Sequence, residues 1–270
     1  MPNPWRSRVF WGGMLIVFGL VLLLDTLGVF AGLNFNLWGV LWPVAMMAAG
    51  VWLLWVSWGT RRWQQQAEPL RIPLPEAARA RVRMNHGAGR VKVDADAAAG
   101  ALLDGVFGGG VQHKIQHVGE VFEAHLQVPS QNIAWTWGAD HGFDWQVHLS
   151  PQIPLELDVE MGANECDLHL THLNVQRLGI KTGASTTSVY LPQAAGFTQV
   201  KVDAGACTLS LHVPQGVAAR IRTEGGLATF DIDTARFPKM GAMYESPDFG
   251  SAANRLDIEL DGGLMTVSVH

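Results

Sequence analysis

All ten histidines of this 270-residue chain follow Asn85. Three of them, His169, His212 and His270, each stand seven residues beyond a glycine, namely Gly162, Gly205 and Gly263. Tyr190 and Asp233 hold the same position after Gly183 and Gly226. Imidazoles beside a carboxylate are the donor set of zinc and copper sites. If the repeats stack in chain order at ~4.8 Å, Tyr190 separates His169 from His212 by about 10 Å. The expectation is therefore an outward ladder of stacked polar residues rather than a metal centre. His169-x-x-His172 would point its rings to opposite faces of a strand, and His113 with His117 supplies only two ligands.

Other groupings carry no sharper chemistry. Asp231/Asp233 and Asp257/Glu259/Asp261 could serve acid–base work, yet alternate acids are what the wet face of a strand displays. Gly108-Gly109-Gly110 lacks the following Lys-Ser/Thr of a phosphate loop and fits a flexible turn. Trp135, Trp137 and Trp145 would project on one side and could line a ligand face, but a capping apolar cluster uses the same pattern. Of the two cysteines, Cys166 falls at an inward position and Cys207 at a turn, with no neighbour to activate a thiolate. No catalytic, cofactor-binding or metal residue is assigned, and no cofactor or enzymatic activity is expected.

The elements that hold these residues repeat. Gly162, Gly183, Gly205 and Gly226 are spaced by 21, 22 and 21 residues. Apolar pairs precede each glycine (Leu157/Val159, Leu178/Ile180, Val200/Val202, Ile221 with Thr223). Further pairs follow each (Cys166/Leu168, Thr187/Val189, Leu209/Leu211, Phe230/Ile232). Gly87 and Gly263 anchor two more copies. Each unit predicts an alternating strand, a glycine bend and a second alternating strand. Glycine there answers a positive φ or a close backbone approach, and the neighbouring Ala88, Ala163, Ala184 and Ala206 would suit a crowded corner. Repeats of about 21 residues with inward apolar pairs predict a β-solenoid whose stacked coils bury one core.

The first quarter is of another kind. Hydrophobic residues make up 48% of the chain and charged ones 16%, with a net charge of −5. Between Phe10 and Thr60 the only charge is Asp25, and 8 of the 11 tryptophans lie at or before Trp63. Runs at about 9–31 and 37–58 are each long enough to cross a ~30 Å hydrocarbon core as a helix, and Asn34 and Asn36 mark the turn of a hairpin. Asp25 with Thr26 is expected at the far interface. Arg6 and Arg8 before the pair, and Arg61 and Arg62 after it, put both ends in the cytoplasm by the positive-inside rule. Residues 61–78 then read as a basic, proline-punctuated linker. From Val93 onward nine basic residues face 21 acidic ones, which argues against nucleic acid as a partner.

The hairpin, with its Phe18–Asp25 run and Leu41-Trp42-Pro43, resembles the transmembrane region of LiaF-type bacterial envelope-stress proteins. The remainder is similar to the toast-rack domain that accompanies it. The residues that carry this are Gly87-Ala88-Gly89, Ile153–Leu157 leading to Gly162-Ala163, Val189–Pro192, Leu211–Val217, Tyr244-Glu245-Ser246, Ala253-Asn254-Arg255 and Gly262-Gly263. The resemblance implies a membrane-attached, right-handed β-helix-like solenoid that acts as regulator or scaffold of a sensor-kinase system, and it brings no catalytic residue.

The chain is thus expected to divide into a cytoplasmic flank (1–8), two spanning helices (9–60), the linker (61–78), an N-terminal β part (79–154) and repeated coils (155–270). Its function is expected to be regulation of a membrane protein such as a sensor kinase at the bacterial inner membrane, with the β domain cytoplasmic. Two further functions stay open. One is an extracytoplasmic module that senses envelope lipid, glycan or peptide, and the other is a self-assembling homo-oligomer.

Overall fold

Period-two alternation around every repeat glycine is realised as strand throughout. The computed structural model describes residues 67–129 and 143–270, and these contain strands, turns and no helix. The two apolar runs, the flanking arginines, Trp135 and Trp137 lie outside the described residues, so the hairpin is not addressed by them. The strands are β1 (Glu68–Pro73), β2 (Arg79–Asp94), β3 (Ala101–Phe107), β4 (Gln112–Val118), β5 (Val121–Gln127), β6 (Trp145–Leu149) and β7 (Leu155–His169). They continue with β8 (Val175–Tyr190), β9 (Phe197–His212), β10 (Ala218–Ile232), β11 (Lys239–Met240), β12 (Met243–Glu245) and β13 (Arg255–Val269).

Six long strands form a parallel stack in the order β2-β7-β8-β9-β13-β10. Pairing puts like on like: Val82, Leu157, Leu178, Val200, Ile258 and Ile221 fall in one row across the stack, all 1% exposed or less. A second row runs Val93, Leu168, Val189, Leu211, Val269 and Ile232. In β7 the alternating buried positions nearest the bend are Leu157, Val159 and Met161 before the glycine, and Asn164, Cys166 and Leu168 after it. The inward parity therefore switches at Gly162-Ala163. The two halves of one strand turn their apolar faces to a common core, which one continuous cluster of buried side chains fills.

The glycines are required for closeness and not for handedness. None of Gly162, Gly183, Gly205 and Gly263 has positive φ. A Cβ on Gly183 would lie 2.9 Å from the Gly162 carbonyl oxygen, one on Gly205 2.8 Å from that of Gly183, and one on Gly263 3.0 Å from that of Gly205. A Cβ on Gly162 would collide with the Gly87 carbonyl oxygen. The adjacent alanines, expected in a crowded corner, are exposed instead. The parity switch leaves them on the outside of the bend.

Three expectations need correction. Residues 68–73 of the supposed linker form β1, paired antiparallel with β3, because Leu70 and Ile72 alternate inward and Ile72 is 1% exposed. Pro69 and Pro73 are tolerated because β1 is an edge strand. The boundary drawn at 154/155 divides nothing, since β2 belongs to the same stack as β7. The copies also do not stack in chain order. The excursion between Ile232 and Arg255 returns the chain to the free edge of β9, so β13 lies between β9 and β10. That excursion then covers the outer edge of β10 with β12 and buries Phe237 and Phe249. At the other end β5 pairs the first half of β2 and β6 its second half, with β4 and β3 outside them. Ends covered in this way are protected from edge-to-edge pairing.

Replacing Gly205 with alanine should lower the stability of the full-length protein in detergent by about 1–3 kcal/mol. Gly250→Ala, whose Cβ meets nothing within 4 Å, should leave the unfolding midpoint unchanged. Denaturant unfolding of the two variants checks this.

Candidate functional site

In two rows on the first halves of the strands the outward side chains are mostly charged, and the charges alternate in sign along each row. One row runs Glu123, Arg81, Glu156, Arg177, Gln199, Asp257, Arg220, Glu245 across eight strands. The next runs His125, Arg83, Asp158, Gly179, Lys201, Glu259, Arg222. Neighbouring strands lie ~4.8 Å apart, so like charges in one row would repel. Alternation converts that liability into contacts: Arg81 meets Glu123 at 2.7 Å and Glu156 at 2.5 Å, Arg222 meets Asp257 at 3.0 Å, and Lys201 meets Glu259 at 3.5 Å. Glu156 is the least exposed of these carboxylates. Its burial opposes ionisation, but the hydrogen bonds and charge of Arg81, with Arg177 and Arg79, outweigh that and hold its pKa below the ordinary value.

At the middle of this face Gly179 brings no side chain, and the Asp158 carboxylate leans into its place, where a Cβ would stand only 2.7 Å from Oδ1. Around it opens a groove of about 640 Å³ walled by Arg83, Asp158, Arg177, Lys181, Lys201 and Glu259. Charges of both signs line it. Such a surface suits a partner with interleaved charges, and exposed pairs of this kind direct register and approach more than they add affinity.

The second halves of the strands carry a different outer face. Thr186, Thr208, Thr266 and Thr229 form a row of exposed hydroxyls, and Ser188, Ser210 and Ser268 the next. Beyond them come the imidazoles. His169 stacks on Tyr190 at 4.6 Å and 9°, and Tyr190 on His212 at 4.3 Å and 10°. His270 follows His212 directly, with ring centroids 6.1 Å apart and tilted by 37°. The chain-order expectation put Asp233 between these two histidines; the insertion of β13 removes it. On the other side Asp94 Oδ1 meets His148 Nδ1 at 2.5 Å, extending the row.

The remaining candidates take structural roles. Asp257 and Glu259 are the carboxylates of the ion pairs above, and Asp233 Oδ1 accepts hydrogen bonds from the backbone N–H of Ala235 (3.0 Å) and Arg236 (3.4 Å). Asp231 is exposed. His172 lies in the turn after β7, and His117 packs edge-on against Phe122 at 5.1 Å. Gly109 and Gly110 adopt positive φ in the turn between β3 and β4, as a flexible-turn segment requires. Trp145 is 1% exposed, packed against Phe107 and His86, with its indole N–H donating to the Gly108 carbonyl at 3.2 Å. It belongs to the core, not to an aromatic ligand face. Both cysteines are buried and unpaired, and Cys207, expected at a turn, is an inward residue of β9. Burial pushes the Cys166 thiol up to about 12.

A buried polar network went unnoticed in the sequence. His86 Nε2 donates to the Phe143 carbonyl at 2.8 Å, and its Nδ1 accepts from the Asn164 amide. The signals were present: His86 directly precedes Gly87, and Asn164 occupies an inward position held by Cys207 in another copy. Burial lowers the His86 pKa to about 4, against the weaker pull of the Phe143 carbonyl and Asp144.

Residues 61–212 match the family described as the N-terminal domain of toast_rack, DUF2154. The chain belongs to the toast-rack family. Residues 9–54 of this toast-rack protein match the LiaI-LiaF-like transmembrane region, so the pairing implied by the sequence resemblance holds and the protein is membrane-associated. No curated protein matches the chain. Among solved structures, the toast-rack domain is similar to a Clostridium sporogenes protein described as a candidate cell adhesion protein. The TM-score is 0.68 at 16% identity, covering 75% of this chain and 97% of that one. That likeness concerns the fold alone.

The unfolded chain takes up a proton at His86 near its ordinary pKa of 6.5, while the folded protein resists until about 4. Stability is thus complete above pH 6.5 and falls as the pH drops toward 4, by roughly 2–3 kcal/mol from this group at pH 4.5. Unfolding midpoints measured at pH 7 and 4.5 should show that fall, and His86→Gln should remove this part of it.

Proposed function

We propose that this toast-rack protein is a non-enzymatic, membrane-anchored regulator or scaffold. In this proposal its β-solenoid domain presents the alternating-charge face to another integral membrane protein, a sensor kinase of the cell-envelope stress response. A two-helix hairpin holds the domain at the inner membrane, and the basic residues flanking the spans favour its cytoplasmic side. The observation that carries the proposal is the groove around Gly179, joined in one chain to a LiaI-LiaF-like transmembrane match. Stacked coils of 21–22 residues suit a scaffold, because a rigid parallel stack keeps ranks of charge at constant spacing.

A second function has one observation in its favour. The structural neighbour from Clostridium sporogenes is described in terms of cell adhesion, which would place such a domain outside the cell, where it could sense envelope material.

A photo-crosslinking residue at Arg177 should capture a sensor kinase in membranes, whereas one at Thr186 on the hydroxyl face should not. Lys181→Gln combined with Lys201→Gln removes both cations without setting new acids beside Glu160, Asp203 and Glu259. It should lower the yield at least fivefold, with the unfolding midpoint shifted far less than by Gly205→Ala. Equal yields from both faces would count against the charged groove. A cysteine introduced at the exposed Asp248 decides the side of the membrane: an impermeant thiol reagent should fail to label it in intact cells, and labelling there would favour the extracytoplasmic sensor.

A further inference from the structure

The strands that cap the stack have edges of their own, and these are guarded unequally. β1 carries Pro69 and Pro73, and β11 is two residues long. β10, which β12 covers only as far as Arg222, bears the exposed carboxylates Glu224 and Asp231 on the remainder. β4 is the exception. Its residues, Gln112–Val118, include no proline and one formal charge, Lys114, and every one is exposed. Ile115 and Val118 are 41% and 56% exposed. Among the described residues only β5 pairs with this strand. An edge left in this state is a template for another strand.

We infer that β4 pairs antiparallel with β4 of a second copy of this chain, about a two-fold axis at Ile115. The hairpin register supplies the backbone groups. Val118 and Val121 flank the two-residue loop Gly119-Glu120, with Gly119 at φ 64°, so they form a hydrogen-bonded pair. Such pairs alternate along an antiparallel ladder. Gln112, Lys114 and Gln116 therefore direct their N–H and C=O groups to β5, and those of His113, Ile115 and His117 point to the open edge. Two such edges centred on Ile115 exchange about six hydrogen bonds, Ile115 with Ile115 and His113 with His117 in both directions.

Side-chain complementarity selects a second copy as the occupant. In this register Lys114 stands opposite Gln116 of the other copy, and Gln112 opposite Val118, so no like charges oppose each other. A slip of one pair toward Gln112 would set Lys114 against Lys114. Gln116 is itself registered with Glu123, so each Lys114, which makes no ion pair among the described residues, lies toward the Glu123 carboxylate of the other copy. On the inner side His113, Ile115 and His117 share the face of Leu126, Ala124 and Phe122, which are 5% exposed or less. Ile115 thus prolongs the apolar face of the core past its last covered strand, and the second Ile115 gives it an apolar neighbour. Edges this short make a small interface. Two chains held in one membrane meet at a raised effective concentration, so the pairing belongs to the membrane-associated protein. It does not depend on which protein docks at the charged groove.

The test co-expresses full-length chains with different tags, one carrying Lys114→Cys and the other Gln116→Cys, and oxidises the isolated membranes. Cys166 and Cys207 stay in place because both are buried. Residues 114 and 116 of opposite copies form a non-hydrogen-bonded pair with Cα atoms ~4.5 Å apart, within disulfide reach. A disulfide-linked heterodimer should form. Either cysteine expressed alone should give at least fivefold less dimer, because equivalent residues lie on a diagonal about 7–8 Å apart. Ile115→Lys sets two ammonium groups face to face, and Ile115→Pro removes an N–H that faces the open edge. Each should cut the cross-link at least fivefold, with the unfolding midpoint close to that of the parent chain. A heterodimer no stronger than the single-cysteine background, or one that persists in both Ile115 variants, would overturn the inference.

Discussion

Backbone contact between glycines at the bend is the constraint on which the rest of the domain depends. Strands at ordinary sheet spacing already place neighbouring backbones ~4.8 Å apart. At the bend the carbonyl of one glycine points at the next glycine, and a single methyl group would stand only 2.8–3.0 Å from it at Gly183, Gly205 and Gly263. Because the bend is this tight, the inward parity can switch within two residues. Because it switches, both halves of each strand serve one core. A looser corner would leave Val159 and Cys166 with no common interior, and two thin sheets would replace a filled one.

Stacking in register has a second consequence, which falls on the surface. Each outward position is repeated on every strand, so any side chain meets its own equivalents at sheet spacing. Identical charges on every strand would repel in that arrangement, and most rows answer in one of two ways. Two rows of the first halves alternate sign, as in Glu123, Arg81, Glu156, Arg177, while the row nearest the bend keeps Asp203, Asp261 and Glu224 side by side. On the second halves of β8, β9 and β13 the chain uses neutral groups that tolerate repetition, threonine, serine and aromatic rings, while β2 and β7 pair Arg90 with Glu165 in the threonine row. The two outer faces differ because they solve one electrostatic problem differently, and only the first gains directional recognition from it.

Much of this was legible in the sequence. The spacing of Gly162, Gly183, Gly205 and Gly226 announced the register, and the flanking apolar pairs announced which side chains face inward, because both follow from local alternation. Strand order was not legible. No local property of Arg255–Val269 says that it pairs with β9 instead of following β10; that depends on the closing path of the excursion after Ile232 and on Phe237 and Phe249 finding cover. The strand at Glu68–Pro73 was hidden by its prolines, which announce a linker unless an edge position is already known to be free. The His86–Asn164 bond joins residues far apart in the chain, so neither polar side chain could be assigned a partner beforehand. The transmembrane pairing, by contrast, was carried by sequence alone.

The departure from chain order matters most where chemistry is concerned. In a strictly sequential stack every row would read down the chain, and the row seven residues past the glycine would run His, Tyr, His, Asp, His. Each imidazole would then have a different kind of group on either side, and none would meet another. Moving β13 one place inward reorders only its end, to His, Tyr, His, His, Asp. The apolar rows are indifferent to this exchange, since Ile258 and Ile221 or Val269 and Ile232 fill equivalent space. Core packing therefore does not select the order through these rows. The capping of β10 by the excursion does, and the adjacency of His212 and His270 follows from it.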